Sequence, residues 1–134
     1  MAQRRALLLE DDPLNRNLFT DVMSLEGLWV DAYASPLHYL HSVQQEGKQN
    51  GLPQQDGPAD YDYILTDKNM PGMSGLEFLD HLEEIGCSLN KQCIAIISGD
   101  WTESEKQQAR DKGYRVLKKP YQIDDILDWI QESN

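Results

Sequence analysis

Cysteine is scarce in this chain of 134 residues: Cys87 and Cys93 are the two present, and they form no metal-like cluster. A metal site built on cysteine is thereby excluded, and the pair reads as two buried, reduced thiols. Long hydrophobic runs are missing as well. The longest is Cys93-Ile94-Ala95-Ile96-Ile97, far short of the ~20 residues that a membrane-crossing helix needs. At the N-terminus, Arg4 and Arg5 are followed only by Ala6 to Leu9 before Glu10. That is too short for a secretory signal, so a cytoplasmic location is the expectation. Positive charge is the third shortage. Lysine and arginine total 12 against 23 aspartates and glutamates, a net charge of −11. Such a surface repels phosphate backbones and argues against direct nucleic-acid binding, while it attracts cations and basic protein surfaces.

What remains is ordinary globular material. Apolar residues make up 40%, which is enough for one core and too much for a disordered chain. The length suits a single domain over residues 1–134.

The hydrophobic pattern alternates between short runs and helical stripes. Arg5 to Leu9 is a buried strand running into Glu10-Asp11-Asp12. Asp12 caps a helix with Pro13 in its first position, Leu14, Leu18, Val22 and Leu25 on one face, and Gly27 at its end. Leu28 to Tyr33 is a second strand, and Ser35-Pro36 opens a helix carrying Leu37, Leu40 and Val43. Residues 44–60 hold five glutamines, three glycines and two prolines, and the core of this stretch, about 46–60, reads as a flexible, solvated surface loop. Tyr61 to Thr66 is a third strand ending at Asp67, followed by a Ser74–Glu77 capping box and a helix with Leu76, Phe78, Leu79, Leu82 and Ile85. Gln92 to Ile97 is a fourth strand ending at Ser98. A second capping box, Thr102 to Glu105, opens a helix with Ala109 as its one apolar residue before Gly113. Tyr114 to Leu117 is a fifth strand ending at Lys118-Lys119-Pro120, and Ile123, Ile126, Leu127 and Ile130 stripe the last helix.

Five strand–helix units predict an α/β fold: a doubly wound parallel sheet covered on both faces. Ligands of such sheets bind beyond the carboxyl ends of the strands, where the strand order reverses. Here those ends deliver Glu10, Asp11, Asp12, Asp67, Ser98 and Lys119. Crowded carboxylates repel one another, and a hard divalent cation relieves that repulsion. Magnesium suits such a site, because it takes few protein carboxylates and keeps several waters. Asp67 is then placed as a carboxylate nucleophile towards phosphorus. Lys119 and the Ser98 hydroxyl are placed to neutralise the oxygens of a transferring phosphoryl group.

Four segments carry a resemblance to a known family. They are residues 7–16 (Leu-Leu-Leu-Glu-Asp-Asp-Pro-Leu-Asn-Arg), 67–75 (Asp-Lys-Asn-Met-Pro-Gly-Met-Ser-Gly), 96–100 (Ile-Ile-Ser-Gly-Asp) and 118–120 (Lys-Lys-Pro). In this order they resemble the receiver domain of two-component response regulators, of the single-domain chemotaxis type, from about Arg5 to Ile130. The resemblance implies a flavodoxin-like strand order 2-1-3-4-5, with Asp67 as phosphoacceptor. It implies a magnesium site made of Glu10, Asp11, Asp67 and the Asn69 carbonyl, Ser98 as switch hydroxyl and Lys119 as the conserved-role lysine. Asp12 is left to cap the helix. Asn69 and Asp100 take the two positions that tune hydrolysis, and Pro120 follows a cis peptide in the family. The implied partners are a sensor histidine kinase or phosphotransfer protein and a downstream protein target. That target is expected to read the face of the fourth helix, fifth strand and last helix. The chain would catalyse nothing beyond its own phosphoryl transfer and dephosphorylation.

The sequence also departs from the family. Val116 stands where an aromatic switch residue is usual, and the stretch from Gly113 to Lys119 is one residue short. Tyr114 falls before the fifth strand or on its other face. Lys68 reads as a solvated side chain. The nearly all-polar fourth helix reads as weakly packed, with Trp101 as a reporter of its movement. The last helix ends naturally at Glu132-Ser133-Asn134, the expectation for a complete single-domain protein. Two alternatives stand beside this reading. One is a pseudo-receiver acting as an interaction module. The other is an aspartate-nucleophile phosphohydrolase, which needs a carboxylate where this chain has Asn69.

Overall fold

A computed structural model describes residues 4–42, 61–84, 89–119 and 123–132. It contains five strands, β1 (Arg5–Leu9), β2 (Trp29–Tyr33), β3 (Tyr63–Asp67), β4 (Ile94–Ser98) and β5 (Arg115–Lys118). The helices are α1 (Pro13–Leu25), α2 (36–42), α3 (Gly75–Glu84), α4 (Glu103–Asp111) and α5 (Ile123–Glu132). The strands form one parallel sheet in the order β2-β1-β3-β4-β5, as expected. The order reverses between β1 and β3. The register brings Leu9 beside Thr66, Asp67 beside Ile97 and Ser98 beside Lys118. Glu10, Asp67, Ser98 and Lys119 therefore line one edge.

Side chains alternate between two apolar layers, as the pleat requires. Ala6, Leu8, Leu65, Ala95, Ile97 and Leu117 meet α1 and α5 through Phe19, Met23, Ile126 and Trp129. Leu7, Leu9, Ile64 and Ile96 meet the other three helices through Tyr39, Phe78, Leu79 and Ala109. On α1 the buried face is turned from the expected stripe. Phe19, Val22 and Met23 are inside, whereas Leu14 and Leu25 are 80% and 86% exposed. Phe19 and Met23 fill the layer shared with α5, and Leu14 and Leu25 lie outside it. Leu37 and Ile123 are also partly exposed.

The expected caps are present. Asp12 Oδ1 accepts from Leu14 N at 2.9 Å. Ser74 Oγ accepts from Glu77 N while Glu77 Oε1 accepts from Ser74 N, both at 3.1 Å. Gly27 follows α1 at φ +87°, a conformation that glycine adopts without steric cost. Strand β4 starts two residues later than expected, because Lys91–Cys93 form a 3₁₀ turn capped by Asn90. Cys93 is a buried thiol, and burial raises its pKa. Among the described residues, no helix is long and apolar enough to cross a membrane. Val43, the 44–60 loop, Ile85, Cys87 and Pro120 lie outside the described residues.

Helix α4 has the sparse apolar packing expected of it. Ala109 is indeed its one buried residue. Polar contacts hold both ends instead. Glu105 accepts from Lys68 Nζ at 2.8 Å, and the C-capping Lys112 donates to Asp80 Oδ1 at 2.5 Å.

Candidate functional site

The end of β3 places Asp67 between the ends of β1 and β4, and its side chain is nearly covered. The backbone around it is tightly tied. Lys68 N donates to Ile97 O, Gly75 N donates to Lys68 O, and Thr66 Oγ1 donates to Asp67 O. Gly75 is required here, because a Cβ would run into the Asp67 carbonyl oxygen. The Asp67 carboxylate has two different sides. Oδ2 accepts from Lys119 Nζ at 2.9 Å, while Oδ1 has only the long 3.4 Å approach of Asn69 N.

Glu10 leaves β1 beside Asp67 and is fully buried. Its Oε1 accepts from Lys119 Nζ at 3.3 Å, and its Oε2 is buried with no hydrogen-bond partner. Burial, with the neighbouring Asp67 carboxylate, pushes the Glu10 pKa from 4.5 up to about 8; Lys119 offsets part of this. Burial opposes the charge on Lys119, but the Asp67 and Glu10 carboxylates outweigh it and raise the ammonium's pKa. The exposed Asp11 completes a carboxylate cluster whose oxygens with those of Glu10 and Asp67 lie within 4.8 Å of one another. A fully buried carboxylate oxygen with no partner is costly. This donor set, three carboxylates with one orphaned oxygen, fits a hard divalent cation such as magnesium. Arg16 Nη1 donates to Glu10 O at 2.9 Å and holds the loop that carries the acids.

Ser98 ends β4. Its Oγ donates to Asp100 Oδ1 at 2.6 Å. The same oxygen accepts from Asn69 Nδ2 at 2.8 Å and from Lys68 Nζ at 3.0 Å. These three donors hold the Asp100 carboxyl well below the usual carboxylate range. Lys119 N donates to Ser98 O at 2.9 Å, joining the ends of β4 and β5.

The structure thus brings together Glu10, Asp11, Asp67 and Lys119, and next to them Ser98, Asn69 and Asp100. Asp12 caps α1 and stays out of the carboxylate cluster. Lys118 is exposed, which leaves Lys119 as the lysine that reaches the acids. Tyr114 precedes β5, packs in the layer that contains Val116 and Trp101, and donates from its hydroxyl to Glu83 Oε1 at 3.3 Å. Trp101 Nε1 donates to Leu117 O at 2.8 Å.

The reading of Lys68 as solvated is overturned. Lys68 is 4% exposed, and its ammonium meets Glu105 Oε1, Asp100 Oδ1 and the backbone oxygen of Asp100, with the Trp101 ring 5.4 Å away. Burial alone would lower its pKa, but the two carboxylates raise it. The physical reason lies in the backbone. The Lys68 amide still pairs with β4, so the residue remains inside although the strand has formally ended. Glu105 was legible only as a capping acid, because its second partner is 37 residues away.

Fold and site together define an open parallel α/β sheet with an acidic, lysine-bearing centre at its topological switch point. The response regulator receiver domain family matches residues 6–131. The chain belongs to that family, a component of two-component signalling. It is 29% identical over 133 residues to the C4-dicarboxylate transport transcriptional regulatory protein DctD of Pseudomonas aeruginosa; the match covers 98% of this chain and 25% of that protein. The two-component response regulator ARR22 of Arabidopsis thaliana is 26% identical over 115 residues, 85% of this chain and 72% of that protein. Among solved structures, the chemotaxis protein CheY4 of Vibrio cholerae superposes with a TM-score of 0.75 at 21% identity, covering 99% of this chain and 100% of that one. The chain therefore spans a quarter of DctD and most of ARR22.

Proposed function

We propose that this receiver domain is a phosphorylation-dependent switch in which Asp67 accepts a phosphoryl group. The observation that carries the reading is the asymmetric Asp67 carboxylate. One oxygen is held by Lys119, and the other has only the 3.4 Å approach of Asn69 N; the neighbouring Glu10 carries a buried oxygen without a hydrogen-bond partner. The donor is a phosphohistidine on a sensor kinase or phosphotransfer protein. An Asp67 oxygen forms the new O–P bond as the N–P bond breaks, and the departing imidazole nitrogen takes a proton. Lys119 holds the acceptor carboxylate in place and supplies positive charge to the incoming group. Glu10, Asp11, Asp67 and the Asn69 carbonyl would hold magnesium, which when bound neutralises negative charge on the phosphoryl oxygens. The Ser98 hydroxyl turns to the phosphoryl group, and the face formed by α4, β5 and α5 changes its affinity for a downstream protein.

The domain acts on no other substrate in this reading. A phosphohydrolase of the aspartate-nucleophile class requires an acid–base carboxylate two residues after the nucleophile, and that residue is Asn69. Labelling with radioactive acetyl phosphate and magnesium tests the proposal. The wild type accumulates acid-stable, base-labile label and Asp67→Asn takes none; equal labelling of the two removes Asp67 as acceptor. No labelling of the wild type favours a pseudo-receiver, and turnover of added phosphate esters favours a hydrolase.

A further inference from the structure

Two buried or half-buried lysines flank Ser98. Lys119 serves Asp67 and Glu10, as described. Lys68 serves an entirely different set: Asp100 on one side and Glu105, in the first turn of α4, on the other.

A serine hydroxyl has one hydrogen to donate. Here it is spent on Asp100 Oδ1 at 2.6 Å, so it is not available to a phosphoryl oxygen. The Asp100 side chain is itself 68% exposed. Packing does not fix it. Its position is set by the donors that converge on Oδ1, of which Lys68 is the cation. The Lys68 ammonium is buried and cannot follow Asp100 into solvent. Without that ammonium, Asp100 and Glu105 would be two carboxylates facing one site with no counter-charge. The exposed one would swing into water and release the Ser98 hydroxyl.

Glu105 extends the link to α4. Its Oε1 accepts from Lys68 Nζ at 2.8 Å, from Thr102 N at 3.1 Å and from Thr102 Oγ1 at 3.0 Å. One oxygen thus closes the helix cap and grips the lysine that follows the acceptor.

We propose that Lys68 is a positioning residue: through Asp100 it holds the Ser98 hydroxyl in its resting orientation, and through Glu105 it ties that orientation to the start of α4. The inference rests on Asp67 being the phosphoacceptor and deepens that reading. Lys68 opposes activation until the phosphoryl group competes for the serine.

The test is the affinity for magnesium plus beryllofluoride, a stand-in for the phosphoryl group, followed by the bound-fluoride NMR signal and by calorimetry. Lys68→Met leaves the site electrostatically unlatched and should bind the analogue about threefold to tenfold more tightly than wild type, the worth of a hydrogen bond to a charged group after solvent competition. Asp100→Ala, a change at an exposed side chain that leaves the fold intact, should tighten binding by a similar factor. Adding Lys68→Met to Asp100→Ala should then change nothing further, and adding it to Ser98→Ala should also change nothing. A purely structural role for Lys68 would lower the melting temperature without tightening the analogue. Unchanged or weaker binding in both Lys68→Met and Asp100→Ala overturns the positioning role while leaving the acceptor assignment intact. So does tightening that persists undiminished in the Ser98→Ala protein. Equal analogue binding by wild type and Asp67→Asn, or no binding by wild type, overturns the acceptor assignment and the positioning role together.

Discussion

Glu10→Gln isolates the electrostatic cost of the acidic centre in chelator. In the metal-free protein, burial and Asp67 raise the Glu10 pKa from 4.5 to about 8. Between these values the folded protein keeps a proton that the unfolded chain has released. Stability therefore falls as pH rises, starting near 4.5 and continuing until the folded group ionises near 8. At ~1.4 kcal/mol per pH unit, the interval sets a ceiling of ~5 kcal/mol. Lys119 offsets part of this cost, so the realised loss is taken as about half the ceiling, ~2–3 kcal/mol. Glutamine imitates the protonated form, since it is neutral and of nearly the same size and shape. Urea unfolding at pH 5, 7 and 9 in chelator measures the difference, with all other titrations common to both proteins. The wild type should lose about 2–3 kcal/mol more than Glu10→Gln between pH 5 and pH 9. Magnesium at saturation should restore wild-type stability by mass action and help the variant less. Parallel pH dependence of the two proteins in chelator would refute the reasoning, because Glu10 would then titrate as an exposed acid.

Lys119→Ala should slow acetyl-phosphate labelling by at least about tenfold, since a charge-assisted contact of ~1.5–3 kcal/mol is lost; Lys118→Ala, on an exposed side chain, should leave the rate nearly unchanged, and the reverse result would misplace the lysine. Gly75→Ala forces the Asp67 carbonyl to move and should destabilise the protein by about 1–3 kcal/mol, read as a lower urea midpoint; unchanged stability would mean that the β3–α3 turn is softer than its hydrogen bonds indicate. Asn69→Lys and Asp100→Arg, at the joined pair beside the acceptor, should change the decay of the phosphorylated protein severalfold, and decay unaffected by either would remove both from control of the attacking water.

Much of the architecture was legible in the linear pattern, for local reasons. Strands read as short Leu- and Ile-rich runs because both faces of a parallel sheet are buried. Helix starts read from Asp12, Ser74 and Thr102 because a cap is satisfied within three residues. Glu10, Asp67, Ser98 and Lys119 could be gathered at one edge because parallel strands all end on the same side. The orientation of α1 was not legible. Leu14 and Phe19 are both apolar, and only the shape of the layer above the sheet decides which is inside. Nor was the burial of Lys68, whose carboxylate partners come from beyond β4 and from α4. A lysine beside an acceptor reads as solvated until a distant Asp100 and Glu105 are folded against it. Local spacing by itself determined the elements and the chemical groups at their ends. Tertiary structure alone decided which charges are paired inside the protein, because the desolvation that makes such pairs matter exists only once the chain has closed around them.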